Sequence, residues 1–188
     1  MKLMRSVRLI IIALSIVSLY SCSKEYETKT FPDSALVTIK LQGLSSSLSN
    51  ANIDISDIQF QMKADPSEED AWKSLQTVNM GVHDLVQVTG SQVVTLVDFD
   101  EIELGRIFGL KLILGDNNSV VKNGVSYDLI MNTDAQNEVI NIVDKDIVAN
   151  MLYEFIVEFD IEASVQVSQG AAYLNPQTSL ILRRFELF

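Results

Sequence analysis

From Glu154 to Ser168 the chain alternates. Phe155, Val157, Phe159, Ile161, Ala163, Val165 and Val167 share one parity, and Glu154, Glu158, Asp160, Glu162, Ser164, Gln166 and Ser168 share the other, with Ile156 alone out of place. A period of two places one set on a buried face and the other in water, the signature of a β-strand at the surface of a sheet. Helical spacing would mix the two sets. The stretch predicts one long strand, or two strands across a kink.

Other runs follow the same rule: Leu36 to Gln42, Asn52 to Met62, Trp72 to Asn79, Val82 to Val88, Gln92 to Val97, Arg106 to Leu114, Ser119 to Lys122, Val125 to Ile130, Asn137 to Val143 and Thr178 to Phe188. Within Asn52 to Met62 the phase changes near Ser56-Asp57, which predicts a bulge. Asn123-Gly124 lies between two short apolar runs, and both residues tolerate the positive φ of a type I′ hairpin turn. Gly115 to Asn118 reads as the preceding turn, so Arg106 to Ile130 is expected to form a three-strand meander. Asp144 to Asn150 reads as a short helical turn capped by Asp144. Many short strands with turn signals between them predict an all-β fold, an antiparallel β-sandwich with at most one or two short helical turns.

The first residues predict a location. Lys2, Arg5 and Arg8 precede the apolar run Leu9 to Leu19, and small Ser21 stands before Cys22, the order of a secretory leader. That run is too short for a bilayer span, which needs roughly 20 apolar residues. Cys22 is the one cysteine in 188 residues, and Leu19-Tyr20-Ser21-Cys22 looks like a bacterial lipobox with Tyr20 in place of a smaller residue. Acyl chains on Cys22, each contributing about 0.8 kcal/mol per buried CH₂, would anchor the chain permanently. The expected organisation is a leader at 1–21, a flexible tether at 22–34 and one β-sandwich domain at 35–188. Ser23 stands where an aspartate would resemble an inner-membrane retention signal, and Lys24-Glu25-Tyr26-Glu27 is similar to signals that export lipoproteins to the cell surface. The expected address is the outer membrane of a Gram-negative bacterium, facing outward or else toward the periplasm.

Charge narrows the partners. Of 14 basic and 25 acidic residues, three basic and no acidic ones lie in the leader, which leaves a net charge of −14 on the rest. Such a balance repels phosphate backbones, so no nucleic-acid partner is expected. With Cys22 acylated, no thiol remains for a disulfide.

The candidate sites are few. His83, the single histidine, stands beside Asp84, but there is no Gly-x-Ser-x-Gly elbow and no second histidine or thiol for a metal set. Asp98, Asp100 and Glu101 are calcium candidates that lack the glycine and terminal glutamate of a calcium loop, so they read as a solvated acidic loop and no metal or cofactor is expected. Trp72, Tyr127, Tyr153 and Tyr173 are candidates for stacking on a sugar face, although aromatics on strands more often belong to the core. Asp33-Ser34-Ala35 is similar to an O-glycosylation site of exported proteins, with Ser34 as the acceptor.

Several segments in order carry a family resemblance. "GRIFGLKLILGDNNSVVKNGVSYDL", residues 105 to 129, together with Leu36 to Leu41, Trp72 with Leu75, Asp84-Leu85, Phe159-Asp160 with Ala163-Ser164-Val165, and Tyr173-Leu174-Asn175-Pro176, resembles bacterial lipoproteins of the domain-of-unknown-function family 4382. Where that family has Pro-Ala-Gly and an arginine, this chain has Glu103-Leu104-Gly105 and Lys111, and its segment after Pro176 is unusually apolar. The resemblance implies a prealbumin-like (transthyretin-like) β-sandwich and no particular activity. Function is therefore expected to be non-catalytic: binding or display of an envelope protein or a glycan, with the membrane engaged through acylated Cys22. The alternative is a fimbria-like assembly subunit whose apolar C-terminal strand pairs with a neighbouring chain.

Overall fold

The computed structural model describes residues 30–76, 79–131 and 137–187. Two sheets face each other. The smaller one has the order β13 (Thr178–Glu186), β10 (Met151–Phe159), β1 (Ser34–Gly43) and β5 (Val94–Glu103). The larger one follows the hydrogen-bonded path β11 (Val165–Ser168), β12 (Ala171–Leu174), β8 (Val125–Met131), β7 (Ser119–Lys122), β2 (Asn50–Gln61), β6 (Gly105–Leu114) and β9 (Glu138–Ile147). β3 (Trp72–Ser74) and β4 (Gly81–Asp84) also pair with β2.

The core fills the space between the sheets. Ala35, Val37, Ile39 and Leu41 alternate inward along β1, and Tyr153, Phe155, Val157 and Phe159 along β10. Ala51, Ile53, Ile55, Ile58 and Phe60 face them from β2. The rings of Phe60 and Phe155 meet at 5.3 Å between centroids, tilted by 60°, and join the two layers. The phase change in β2 is the predicted bulge, a register shift against β6 between Ile55 and Asp57. Asn123 (φ 53°) and Gly124 (φ 77°) make the predicted hairpin turn between β7 and β8.

Three local expectations change. β7 pairs with β8, but β6 does not pair with β7, so 106–130 is not a meander. Ile55 has Leu114 of β6 and Gly81 of β4 as partners, and Asn52 has Ser119 of β7 and Asp84 of β4. A strand residue has one neighbour on each side, so β6 and β7 run end to end along one edge of β2, opposite β4. Asp54 holds them there: its Oδ2 accepts from Asn117 N at 3.2 Å and Nδ2 at 2.9 Å, and its own N–H donates to Asn118 Oδ1 at 2.8 Å.

Asp144 caps no helix, because β9 continues to Ile147. Asp144 adopts φ 47° where the register against β6 shifts, and its carboxylate accepts from Arg106 Nε at 2.8 Å. The long alternating stretch is the expected pair of strands, β10 and β11, and the break between them is at Asp160, which caps a one-turn helix, α1 (Ile161–Ser164), by accepting from Ala163 N at 2.9 Å. Finally, the acidic run from Asp98 is not a loop but the second half of β5, an edge strand whose charges reach water. Two pairings are parallel, β1 with β10 and β8 with β12, in an otherwise antiparallel sandwich.

Residues ahead of Ala35 also pack on the domain. Phe31 is buried, and its N–H donates to Asn150 Oδ1 at 2.6 Å, which ties the start of β1 to the β9–β10 turn.

Helix α1 is tied to the β1–β2 loop by Glu162, whose carboxylate accepts from Ser47 N at 2.8 Å and Ser47 Oγ at 3.0 Å. The backbone bond from Ser47, then the bond from its hydroxyl, hold the Glu162 carboxyl below its ordinary 4.5. A carboxyl with a lowered folded-state pKa stabilises the fold above 4.5 and loses that contribution as pH falls through the lower value. Wild type is therefore expected to melt above a Glu162→Gln variant at neutral pH, and the two midpoints to converge on acidification. A constant gap across the acid range in thermal melts would show that the clamp does not act through ionisation.

Candidate functional site

A cleft of about 350 Å³ opens between the edges of the two sheets, where β3 faces the second half of β5. Alternation on these strands builds it. Phe60 and Met62 at the end of β2, Leu75 beyond β3 and Ile102 of β5 supply an apolar floor. Lys73, Asp100, Glu101 and Glu103 form the rim. Gln76 N donates to Asp100 Oδ2 at 2.9 Å, and Lys73 Nζ stands 3.3 Å from Glu103 Oε2, so the two sheets are bridged across the opening. Among the described residues β3 pairs only with β2 and β5 only with β1, which leaves a free backbone edge on each side of the cleft.

A second hollow of about 450 Å³ continues from the first and shares Met62, Lys73 and Glu103 with it. Leu104, 41% exposed, and Arg106 close its far end. The hydrogen bond and the charge of Asp144, reinforced by the charge of Asp146, raise the pKa of the Arg106 guanidinium, a fixed cation beside the hollow. An apolar floor, a mixed-charge rim and two unpaired strand edges suit capture of an extended amphipathic ligand.

The sequence candidates are dispersed. Tyr153 is fully buried; its hydroxyl accepts from Val148 N at 3.0 Å and donates to the Asp146 carbonyl at 3.3 Å, so its ring supports the β9–β10 turn and offers no face to a ligand. Tyr127 is half-buried and packs on the core. Tyr173, 41% exposed on β12, stands beside Ile130 of β8, far along the sheet path from Trp72 on β3. Along β5, Asp100 shares a face with Ile102 and Glu101 lies on the other, where its Oε1 accepts from Ser34 Oγ at 2.5 Å. Asp98 is exposed beside the positive-φ Phe99. These three carboxylates do not converge on one point, and among the described residues no three His, Cys, Asp or Glu side chains are grouped to hold a metal. Ser34 begins β1 opposite Glu103.

His83 bonds through Nε2 to the Asn79 carbonyl at 2.7 Å, while Asp84 Oδ1 accepts from Ala51 N and Val86 N, so the adjacent pair is engaged separately. Cys22 and the leader lie outside the described residues. Lys73 and Leu75 were legible only as strand residues and Ile102 only as part of an acidic loop, because a cleft between the edges of two sheets leaves no spacing signal along the chain.

Residues 14–176 match the family described as Domain of unknown function (DUF4382). The chain belongs to this family. No curated protein and no solved structure matches it. The DUF4382 span closes at Pro176, the last residue of Tyr173-Leu174-Asn175-Pro176, so β13 lies just past it while completing the smaller sheet. Both walls of the cleft fall inside the DUF4382 span.

Proposed function

We propose that this DUF4382 chain is a non-catalytic binding or display module, held at the bacterial outer membrane by acyl groups on Cys22 and turned toward the cell surface, with a protein or glycan as its ligand. The cleft between β3 and β5 carries the binding part of this reading, because it joins an apolar floor to a charged rim beside two free strand edges. The leader and Leu19-Tyr20-Ser21-Cys22 support the anchor. Labelled palmitate is expected to enter the wild-type chain and not Cys22→Ala, and protease added to intact cells is expected to digest the domain. Protection until lysis would turn the domain toward the periplasm. In envelope extracts, a Leu75→Arg substitution that fills the cleft is expected to release whatever the wild-type chain retains; retention by both would move the ligand elsewhere.

A second reading rests on β13. Its inner edge is paired with β10 from end to end, but among the described residues its outer edge has no partner, and Ile181 and Phe185 are 37% and 47% exposed there. An assembly subunit would use that edge for strand addition. Ile181→Lys would then dissolve oligomers and leave the cleft's ligand bound.

A further inference from the structure

The outward face of β3, β2, β6 and β9 is built differently from an ordinary wet sheet surface. Register places Trp72, Gln61, Gly109 and Ile142 in one row across the four strands, and Ser74, Gln59, Lys111 and Ile140 in the next. Gly109 leaves a depression in the first row: a Cβ there would meet Trp72 Cη2 at 3.4 Å and Gln61 Oε1 at 3.1 Å. The indole therefore lies down across the strands instead of standing off them. Lys111 shows the consequence, since it is 7% exposed on a face that should be wet, with Nζ 4.1 Å from the Trp72 ring centroid. The ammonium covers one face of the indole, and Trp72 as a whole is only half-buried, so part of the ring stays open to solvent.

The polar groups around this ring are already fixed by their neighbours. Lys111 Nζ stands 3.0 Å from Glu138 Oε2. Asp57 accepts from Ile58 N at 2.8 Å, Gln59 Nε2 at 2.8 Å and Ser74 Oγ at 2.7 Å. The amide of Gln61 donates to the carbonyls of Lys63 and Ala64, which sets its orientation. The indole N–H of Trp72 and Oε1 of Gln61 keep no partner among the described residues.

We propose that this face is a binding platform for a neutral glycan, with one pyranose ring stacked on Trp72 and its hydroxyls bonded to the Trp72 indole N–H, Gln61 Oε1 and Gln59 Oε1. A flat aromatic face suits the C–H side of a sugar ring, and side chains held in place by their neighbours suit its hydroxyls. Lys111 is paired with Glu138, and Asp57, whose three donors are all neutral, keeps its negative charge, which selects against an anionic polysaccharide. Ile140 and Ile142, 53% and 85% exposed, extend the apolar strip to the margin of the sheet for a second ring. The platform is distinct from the cleft, which Trp72 does not line: Trp72 turns outward from β3, while Lys73 and Leu75 border the cleft and Ser74 lies between the two.

Trp72 is the chain's single tryptophan, so its fluorescence reports this site alone. The full chain, titrated with cellohexaose, laminarihexaose and an α-1,6-mannohexaose, is expected to show a saturable emission change with at least one of them, matched by calorimetry. Trp72→Ala is expected to weaken the calorimetric signal by about tenfold or more, the equivalent of a stacking contribution near 1.4 kcal/mol. Trp72→Phe should recover part of it, and Gln59→Ala should weaken binding while the chain keeps its cooperative melt, which separates a binding loss from a folding loss. No saturable change with any of the three sugars overturns the platform. So does sugar binding that survives Trp72→Ala but is lost in Leu75→Arg, which would assign the glycan to the cleft and leave the binding-module reading intact.

Discussion

A chain shortened to end at Thr178 is expected to lose its cooperative melt. β13 pairs with β10 in unbroken register, from Met151 with Glu186 to Phe159 with Thr178, and its Leu180 and Leu182 pack on the core. Each of these partly buried leucines contributes a share of the roughly 1.5–3 kcal/mol of a fully buried one, and each ladder hydrogen bond about 0.5–1.5 kcal/mol net. Nearly the whole ladder goes with the truncation, so the loss reaches the ~5–15 kcal/mol that hold a typical domain together. It would also turn β10, the most thoroughly buried strand of the smaller sheet, into an apolar edge open to aggregation. Circular dichroism melts with size-exclusion chromatography check this. A folded, cooperatively melting monomer would show that β13 is dispensable to the domain, and would favour its use in pairing with a neighbouring chain.

Phe155→Ala is expected to destabilise by about 3–5 kcal/mol, the range for removing a large ring from a packed core. Phe155 is fully buried in the middle of β10, between β1 and β13, and its ring meets Phe60 of the opposite sheet at 5.3 Å. The truncation leaves a cavity at the junction of the two layers, walled by strands whose registers are fixed on both sides, so collapse around it is restricted. In a domain of this size the midpoint should fall by roughly 10 °C or more. Phe155→Leu should recover most of the loss because it restores volume. Equal losses in the two variants would mean that the contact of ring with ring, and not the filled volume, supports the core.

The outer face of the smaller sheet shows how polar residues are accommodated without a site. Glu154 lies on the solvent side of β10 yet is only 9% exposed, because Lys40 and Arg183 bond it from the strands on either side. The alternation rule marks Glu154 as wet. Its partners on β1 and β13 make it a cross-strand ion triad instead, stabilising the sheet by bridging three strands.

Local chemistry was readable from one segment at a time. Alternation along β10, the phase change in β2 at Ser56-Asp57, and the Asn123-Gly124 turn each depend on residues within a few positions of one another, and each stands in the structure as the sequence implies. The all-β class follows from the same period of two, because side-chain direction in a strand is a local property. What joins to what is not local. Asp54, more than sixty residues from Asn117 and Asn118, keeps β6 and β7 on one edge of β2 and undoes the meander that their turn signals imply. The parallel pairing of β1 with β10 and the end-to-end seam of β13 with β10 also join segments remote in sequence, and alternation reports neither the direction nor the identity of a neighbour. The same holds for sites. Trp72 stood out as an aromatic, but only the sheet register brings Gly109, Lys111 and Gln61 beside it, and only the facing of two sheets opens a cleft between Leu75 and Ile102. Strand formation is a property of a segment, whereas a surface or a cleft belongs to the assembled sheets.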